Sequence, residues 1–353
     1  MKIQKQVIKY IKKNYGFWIK IIAILVIAYG IKQYFFSTKI NHQIEKKHML
    51  ELYKIFNIKI DKKNKTLSRN NKTVSYADLN NHAKTQKYKG NKKFMNDILL
   101  KNNIPVCKNI KWNDNLTNSK NIKLINKNLK FPVVVKPIYG QKGYGIKTNI
   151  YNNEILVKHI NFLKKQKWAK HMDISKGILI EEQEIGNKYR IVILNGKVIY
   201  IKLDDVPYII GNGNSSVKQL IKDYHIINKN TNPVKDVNED LILQQGYKLD
   251  DILEKNKKIQ VTNIISRENG SRDYIIHLDS VHPDNIKMFI EINRVLKYNM
   301  SGIDYITQDL STSHKISGKV LEVNSYPGWN KKCMKDKDIS YRFVDALFPS
   351  KKV

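Results

Sequence analysis

Residues 131–146 read FPVVVKPIYGQKGYGI, and the fold turns on them. Three valines followed by Lys136 make a short apolar run that ends in a cation, as in a buried strand that delivers one charge to its end. Gly140, Gly143 and Gly145 come next. Glycines let the backbone approach a phosphate and turn its N–H groups inward, and a lysine on the preceding strand adds a point charge. The spacing is not a Walker A loop, because Ile146 follows Gly145 where GxxxxGK[ST] requires lysine. KTNI, residues 147–150, reads as a second strand, which counts against a Rossmann fingerprint, where a helix must follow. Taken alone, three glycines between strands are more commonly a structural hairpin than a phosphate cradle.

Two further stretches bear on the same chemistry. In KVLEVN, Glu322 and Asn324 lie two residues apart and share one face of a strand, with Leu321 and Val323 on the other. In GIDYITQDL, Asp304 sits among apolar residues, a costly place for a carboxylate without a partner. The polar STSHKISG, residues 311–318, makes a turn between them. A hairpin folded about its middle brings Asp304 within a residue or two of the position opposite Asn324. Two carboxylates and an amide oxygen then converge, a hard-donor set suited to Mg²⁺ with bound phosphate. A polar hairpin with exposed acids explains the same residues equally well. The third stretch, ILIEEQEIGNKYRIVILNGKVIYIKL, carries the acidic run Glu181, Glu182, Gln183 and Glu184, whose plainest reading is a solvated turn. Two strands follow, joined at Asn195 and Gly196, a strong hairpin signal.

Working outward, KKFMNDILLKNNIPV reads as an amphipathic helix feeding a strand, and helices are expected around 155–170 and 282–299. Strands clustered between helices, with no repeat of 20 to 50 residues, give an α+β chain. Residues 37–81 are polar and read as a stalk with a small strand–turn–strand piece. Residues 17–36, FWIKIIAILVIAYGIKQYFF, have the length of a single transmembrane helix, interrupted by Lys20 and Lys32. The basic tail 1–16 outweighs the basic residues after the span, which places the N-terminus in the cytoplasm. A buried or interfacial helix is the alternative for this segment. Cys107 and Cys333 stand apart with no CxxC or His-rich surroundings, so neither a disulfide framework nor a zinc site is readable. The formal charge of +33 is nearly all lysine, accompanied by heavy use of Asn and Ile. Its dispersal along the whole chain argues against nucleic acid as a main partner. Arginine is scarce, which makes Arg190, Arg267 and Arg272 more informative than any lysine.

These pieces, in this order, resemble the ATP-grasp superfamily, most closely the ATP-grasp domain of cyanophycin synthetase, with glutathione and glutamate-cysteine ligases next. The resemblance runs from about His82 to Lys331 and includes VPYIIGNGNSSVKQLI and HPDN. It implies an ATP-grasp domain over 82–348, two α+β subdomains clamping ATP, preceded by the membrane helix. Lys136 would touch the ATP phosphates, with Gly140, Lys142, Gly143 and Gly145 as the flap above them. The strand Ile178 to Glu184 would be the hinge, with Glu181, Glu182, Gln183 and Glu184 around adenine. Asp304, Glu322 and Asn324 would hold Mg²⁺ or Mn²⁺, and Arg190 and Arg267 would neutralise charge on the transferred phosphoryl group or on a substrate carboxylate.

The implied activity is an ATP-dependent carboxylate–amine ligase acting through an acyl-phosphate on amino-acid or peptide substrates. The alternative is a catalytically inactive, membrane-anchored ATP-binding protein. Whether the chain forms a homo-oligomer is left open. Lys188 stands where the family often carries an acid for ribose, Asp204 and Asp205 stand where an arginine is common, and NGSRD around Asn269 replaces STGG. The last two changes bear on the substrate. With no sequence after Val353 to supply a Mur-ligase-like half, cyanophycin itself is not the expected product.

Overall fold

The computed structural model describes residues 45–79, 90–141, 143–166, 172–229, 231–265 and 269–349. The expected membrane helix at 17–36, the tail 1–16, Lys142 and Arg267 lie outside the described residues. Among the described residues no helix is long and apolar enough to cross a membrane.

The chain divides into two units. The smaller takes residues up to Ala77 together with Trp329–Lys335. Its described part holds helix α1 (Lys47–Ile55) and strands β1 (Lys59–Asp61), β2 (Thr66–Arg69) and β3 (Lys72–Ser75), paired antiparallel in that order. Asn70 and Asn71 both have positive φ, as a two-residue type I′ turn requires, and asparagine tolerates that conformation. Met49, Leu52, Tyr53 and Leu67 are buried, and α1 packs on a 3₁₀ turn at Cys333–Lys335. A helix and a three-stranded sheet therefore stand where the sequence reads as a polar stalk with one strand–turn–strand piece. Met49, Leu52 and Tyr53 share the buried stripe of α1, while Ile55 is exposed.

The larger unit, Asp78–Gly328 with Asp336 onward, contains the remaining elements. In chain order these are α2 (Lys92–Lys101), β4 (Asn109–Lys111), α3 (Asn118–Asn128), β5 (Val133–Gly140), β6 (Lys147–Ile150), α4 (Asn153–Lys165), β7 (Met172–Glu182), β8 (Asn187–Leu194), β9 (Lys197–Asp205), β10 (Tyr208–Ile210), α5 (Val217–Lys222), α6 (Tyr224–Ile227), α7 (Glu239–Gln244), β11 (Lys258–Gln260), β12 (Arg272–Ile276), α8 (Pro283–Leu296), β13 (Met300–Thr307), β14 (Lys319–Asn324) and α9 (Lys337–Leu347). A four-stranded antiparallel sheet, β4-β7-β5-β6, buries Val133, Val135, Ile178 and Ile180 against Ile125 of α3 and Leu156, Ile160 and Leu163 of α4. A five-stranded antiparallel sheet, β12-β9-β8-β13-β14, buries Ile191, Ile201, Ile303, Tyr305 and Val323 against Met288, Phe289, Ile292 and Leu296 of α8. A smaller core between β9 and β12 in sequence joins the pair β10-β11 to α5, α6 and α7.

Several boundaries differ from the sequence reading for local reasons. The expected hinge strand 178–184 is β7, which starts earlier, at Met172, and ends at Glu182. The helix expected to 299 stops at Leu296, because Lys297 turns left-handed and the Tyr298 N–H donates back to the Asn293 carbonyl at 2.8 Å. The helix expected at 155–170 is Asn153–Lys165, capped by the Asn152 side chain, which accepts from the Ile155 N–H at 2.9 Å. After α2 the chain makes only a single parallel bridge, Val106 with Val320, before β4. The β8–β9 turn falls at Asn195 and Gly196 as expected, both with positive φ.

Candidate functional site

One face of the five-stranded sheet packs on α8, and the opposite face carries charge. Residues directly opposite one another on neighbouring strands project to the same side. A row therefore runs across four strands: Glu322 on β14, Asp304 on β13, Arg190 on β8 and Lys202 on β9. A second row holds Asn324, Gly302, Val192 and Tyr200, and a third holds Lys188, Asp204 and Asp273. Alternation along each strand puts all three rows on this face. The hairpin inferred for β13 and β14 is present, and its register falls within the expected range. Asp304 stands opposite Glu322, Asn324 stands opposite Gly302, and a bulge follows at Tyr305.

Asp304 is buried, with Arg190 Nε at 3.0 Å from Oδ1 and Lys188 Nζ at 3.4 Å from Oδ2. Burial works against its ionisation, but the two cations outweigh burial and hold the carboxyl below the usual aspartate range. Burial likewise opposes the charge of Arg190, and Asp304 overcomes it, raising the guanidinium above its ordinary value. Asp304 Oδ1 makes the ion-pair contact without an aligned hydrogen bond, which leaves a buried oxygen able to serve a metal. Two carboxylates and an amide oxygen on one face are the donor types that suit Mg²⁺, so these residues fit that ion. Among the described residues no group of three or more His, Cys, Asp or Glu side chains is placed to hold a metal. A cation here would take its remaining ligands from elsewhere than the protein's carboxylates.

Lys136 and Glu181, on adjacent strands β5 and β7, form a buried pair at 2.5 Å. Burial again disfavours the ammonium, and Glu181 more than offsets it, so the Lys136 pKa lies above the lysine norm. Lys136 Nζ also reaches the Leu321 carbonyl, 3.5 Å away on β14, and Asn96 of α2 donates to Glu181 at 3.1 Å. The glycine segment starts at the end of β5, with Gly143 and Gly145 in the positive-φ region. A methyl group at Gly145 would fall 2.8 Å from Pro137 Cγ and 2.9 Å from Met172 Sδ.

The acidic run is spent inside the protein more than the sequence suggests. Glu181 faces Lys136, and Glu182 accepts from the Lys130 N–H at 2.9 Å. Gln183 exchanges two hydrogen bonds with Asn149, each 2.6 Å. Glu184 lies beyond the end of β7. Lys188 sits on Asp304 and donates to the Ile265 carbonyl at 3.4 Å, within the candidate metal face.

Lys92 is the principal residue that the sequence left unmarked. It is buried at the start of α2, donates to the Gly140 carbonyl at 2.8 Å and lies 3.2 Å from Glu322 Oε1. It thereby links the glycine segment to the acidic strand. In a lysine-rich chain its residue type carried no signal. Arg272 binds elsewhere: it contacts Asn228 at 3.0 Å and Asp205 at 3.5 Å, and its guanidinium lies 3.7 Å above the Tyr208 ring.

No family model matches the chain. A cyanophycin synthetase from Synechocystis sp. is 26% identical over 234 residues, 62% of this chain and 26% of that protein. The glutathione biosynthesis bifunctional protein GshAB of Clostridium perfringens is 24% identical over 281 residues, 73% of this chain and 34% of its own length. The chain thus spans a quarter to a third of these relatives. Among solved structures, a bifunctional glutathione synthetase from Pasteurella multocida superposes with a TM-score of 0.53 at 18% identity, covering 83% of this chain and 41% of that one, a likeness of fold. With the two sheets and the charged face described above, these likenesses in sequence and in fold support a resemblance of the chain to the ATP-grasp superfamily.

Proposed function

We propose that the chain is an ATP- and Mg²⁺-dependent carboxylate–amine ligase that works through an acyl-phosphate and forms a peptide-like amide bond. The observation that carries this reading is the row Glu322, Asp304, Arg190 on one sheet face, linked through Leu321 and Lys92 to Lys136 and the glycine segment. The substrate carboxylate attacks the γ-phosphorus of ATP and ADP leaves. The amine then attacks the acyl carbon, phosphate departs, and the nitrogen loses a proton. Asp304, Glu322 and Asn324 would hold the magnesium, which when bound offsets negative charge on the phosphates. Lys136 holds a phosphate oxygen from the floor of the site, and the segment from Gly140 to Gly145 covers it. Arg190 and Arg267 steady charge on the moving phosphoryl group or the substrate carboxylate. No side chain becomes covalently linked.

The family resemblance and the names of the relatives support ATP and an amide product, and the substrates are taken from the amino-acid and peptide class. Residues 17–36 are proposed as a single membrane anchor with the N-terminus in the cytoplasm; release from membranes by alkaline carbonate would count against it. For the activity, the full chain is incubated with Mg-ATP and pooled amino acids, with phosphate release and product masses as readouts. Phosphate and a condensed product are expected. Absence of both magnesium-dependent ATP uptake and phosphate release would overturn the reading. ATP uptake without turnover would favour an inactive ATP-binding protein, a reading favoured by the two cations already seated on Asp304.

A further inference from the structure

We infer that Gly302 is a positioning residue whose missing side chain lets Arg190 lie across β13 and set its guanidinium against Asp304. The inference rests on the ligase reading for its catalytic meaning, and on geometry alone for the contact. Gly302 is two residues from Asp304 on the same strand face, and it is the diagonal neighbour of Arg190 on β8. Arg190 leans over it. Its Nη1 donates to the Gly302 carbonyl at 3.1 Å while Nε lies 3.0 Å from Asp304. A Cβ at position 302 would stand 2.8 Å from Nη1, 3.4 Å from Cδ and 3.1 Å from the Pro327 Cα. The first of these is closer than real Cβ atoms come.

The guanidinium is held at two of its nitrogens, Nε beside the Asp304 carboxylate and Nη1 on the carbonyl of residue 302 itself, which limits its freedom to yield. The neighbour on the other side is backbone. Gly302 is not among the positive-φ glycines, so its conformation does not demand glycine. Glycine within a strand is otherwise a weakening choice, and it commonly marks a place where another group approaches closely. Here that group is the Arg190 head. Glycine at 302 thereby places a cation from β8 beside the carboxylate of β13 that faces Glu322.

The test is a double-mutant cycle in the full-length protein: wild type, Gly302→Ala, Arg190→Gln and both together, read by urea unfolding and by phosphate release from Mg-ATP with pooled amino acids. With Arg190 present, Gly302→Ala should raise the unfolding equilibrium constant about tenfold, and with Arg190→Gln less than about twofold. Turnover should fall by about tenfold or more on Gly302→Ala while the KM for ATP stays within about twofold, since a displaced Arg190 fails the reacting group more than the bound nucleotide. Equal unfolding cost in both backgrounds, or a Gly302→Ala protein that matches wild type, overturns the inference. If the wild type releases no phosphate, the ligase reading falls, and the unfolding cycle still decides whether Gly302 positions Arg190.

Discussion

Lys136 and Glu181 keep only 7% and 4% of their side-chain surface exposed, so desolvation rather than screening governs their pair. Removing one partner strands the other charge. Lys136→Met should cost about 3–5 kcal/mol of stability in urea unfolding, and adding Glu181→Gln should restore much of it. A double variant no more stable than the single one would refute this account. Asp304 sets a pH dependence of known sign. Its folded pKa is depressed, so its contribution is complete above the ordinary aspartate value of about 3.9 and is lost as pH falls through the lower folded value. Acid unfolding of wild type should therefore steepen below about pH 4, and Asp304→Asn should flatten that limb. Lys136 acts in the opposite direction: its raised pKa keeps the pair's contribution intact below about pH 10.4 and removes it only at higher pH.

At the scale of elements, the two glycines of the β5–β6 segment make different demands. Gly143 has positive φ, and among the described residues only Ile264 Cγ2 comes near the missing Cβ, at 3.9 Å. Gly145 has positive φ and is walled in by Pro137, Met172 and Leu163. Gly143→Ala should then cost about 1 kcal/mol from backbone conformation alone, and Gly145→Ala about 1–3 kcal/mol more from overpacking. Thermal unfolding of the two variants measures the difference, and equal losses would show that packing around Gly145 is unimportant. The strands here were legible because residue type and period coincide: three valines before Lys136, alternation in KVLEVN, and Asn-Gly at the β8–β9 turn. Within β14 the shared face of Glu322 and Asn324 needed only the two-residue period. What crosses between elements was not legible to the same degree. The bulge after Asp304 moves its partner from Leu321 to Glu322, and no residue in the turn 311–318 announces it. Lys92 and Asn96 reach the site from a helix about forty residues before Lys136 in sequence, and only the packing of α2 reveals them.

For the whole molecule, the formal charge of +33 means net self-repulsion in the folded state. Screening should relieve it. Raising salt from about 0.01 M to 0.15 M shortens the Debye length from about 30 Å to about 8 Å and should raise the Tm by a few degrees. A Tm that falls with salt would mean that exposed ion pairs such as Lys197–Asp345 outweigh the repulsion. The smaller unit carries a consequence of another kind. Its helix α1 rests on Cys333–Lys335, from the far end of the sequence. During synthesis α1 leaves the ribosome early, and its partner turn emerges only after the strands of both large sheets. Helix α1 therefore waits for its partner until the strands of both sheets have been made, and a chaperone that shields Met49 and Leu52 would act in that interval.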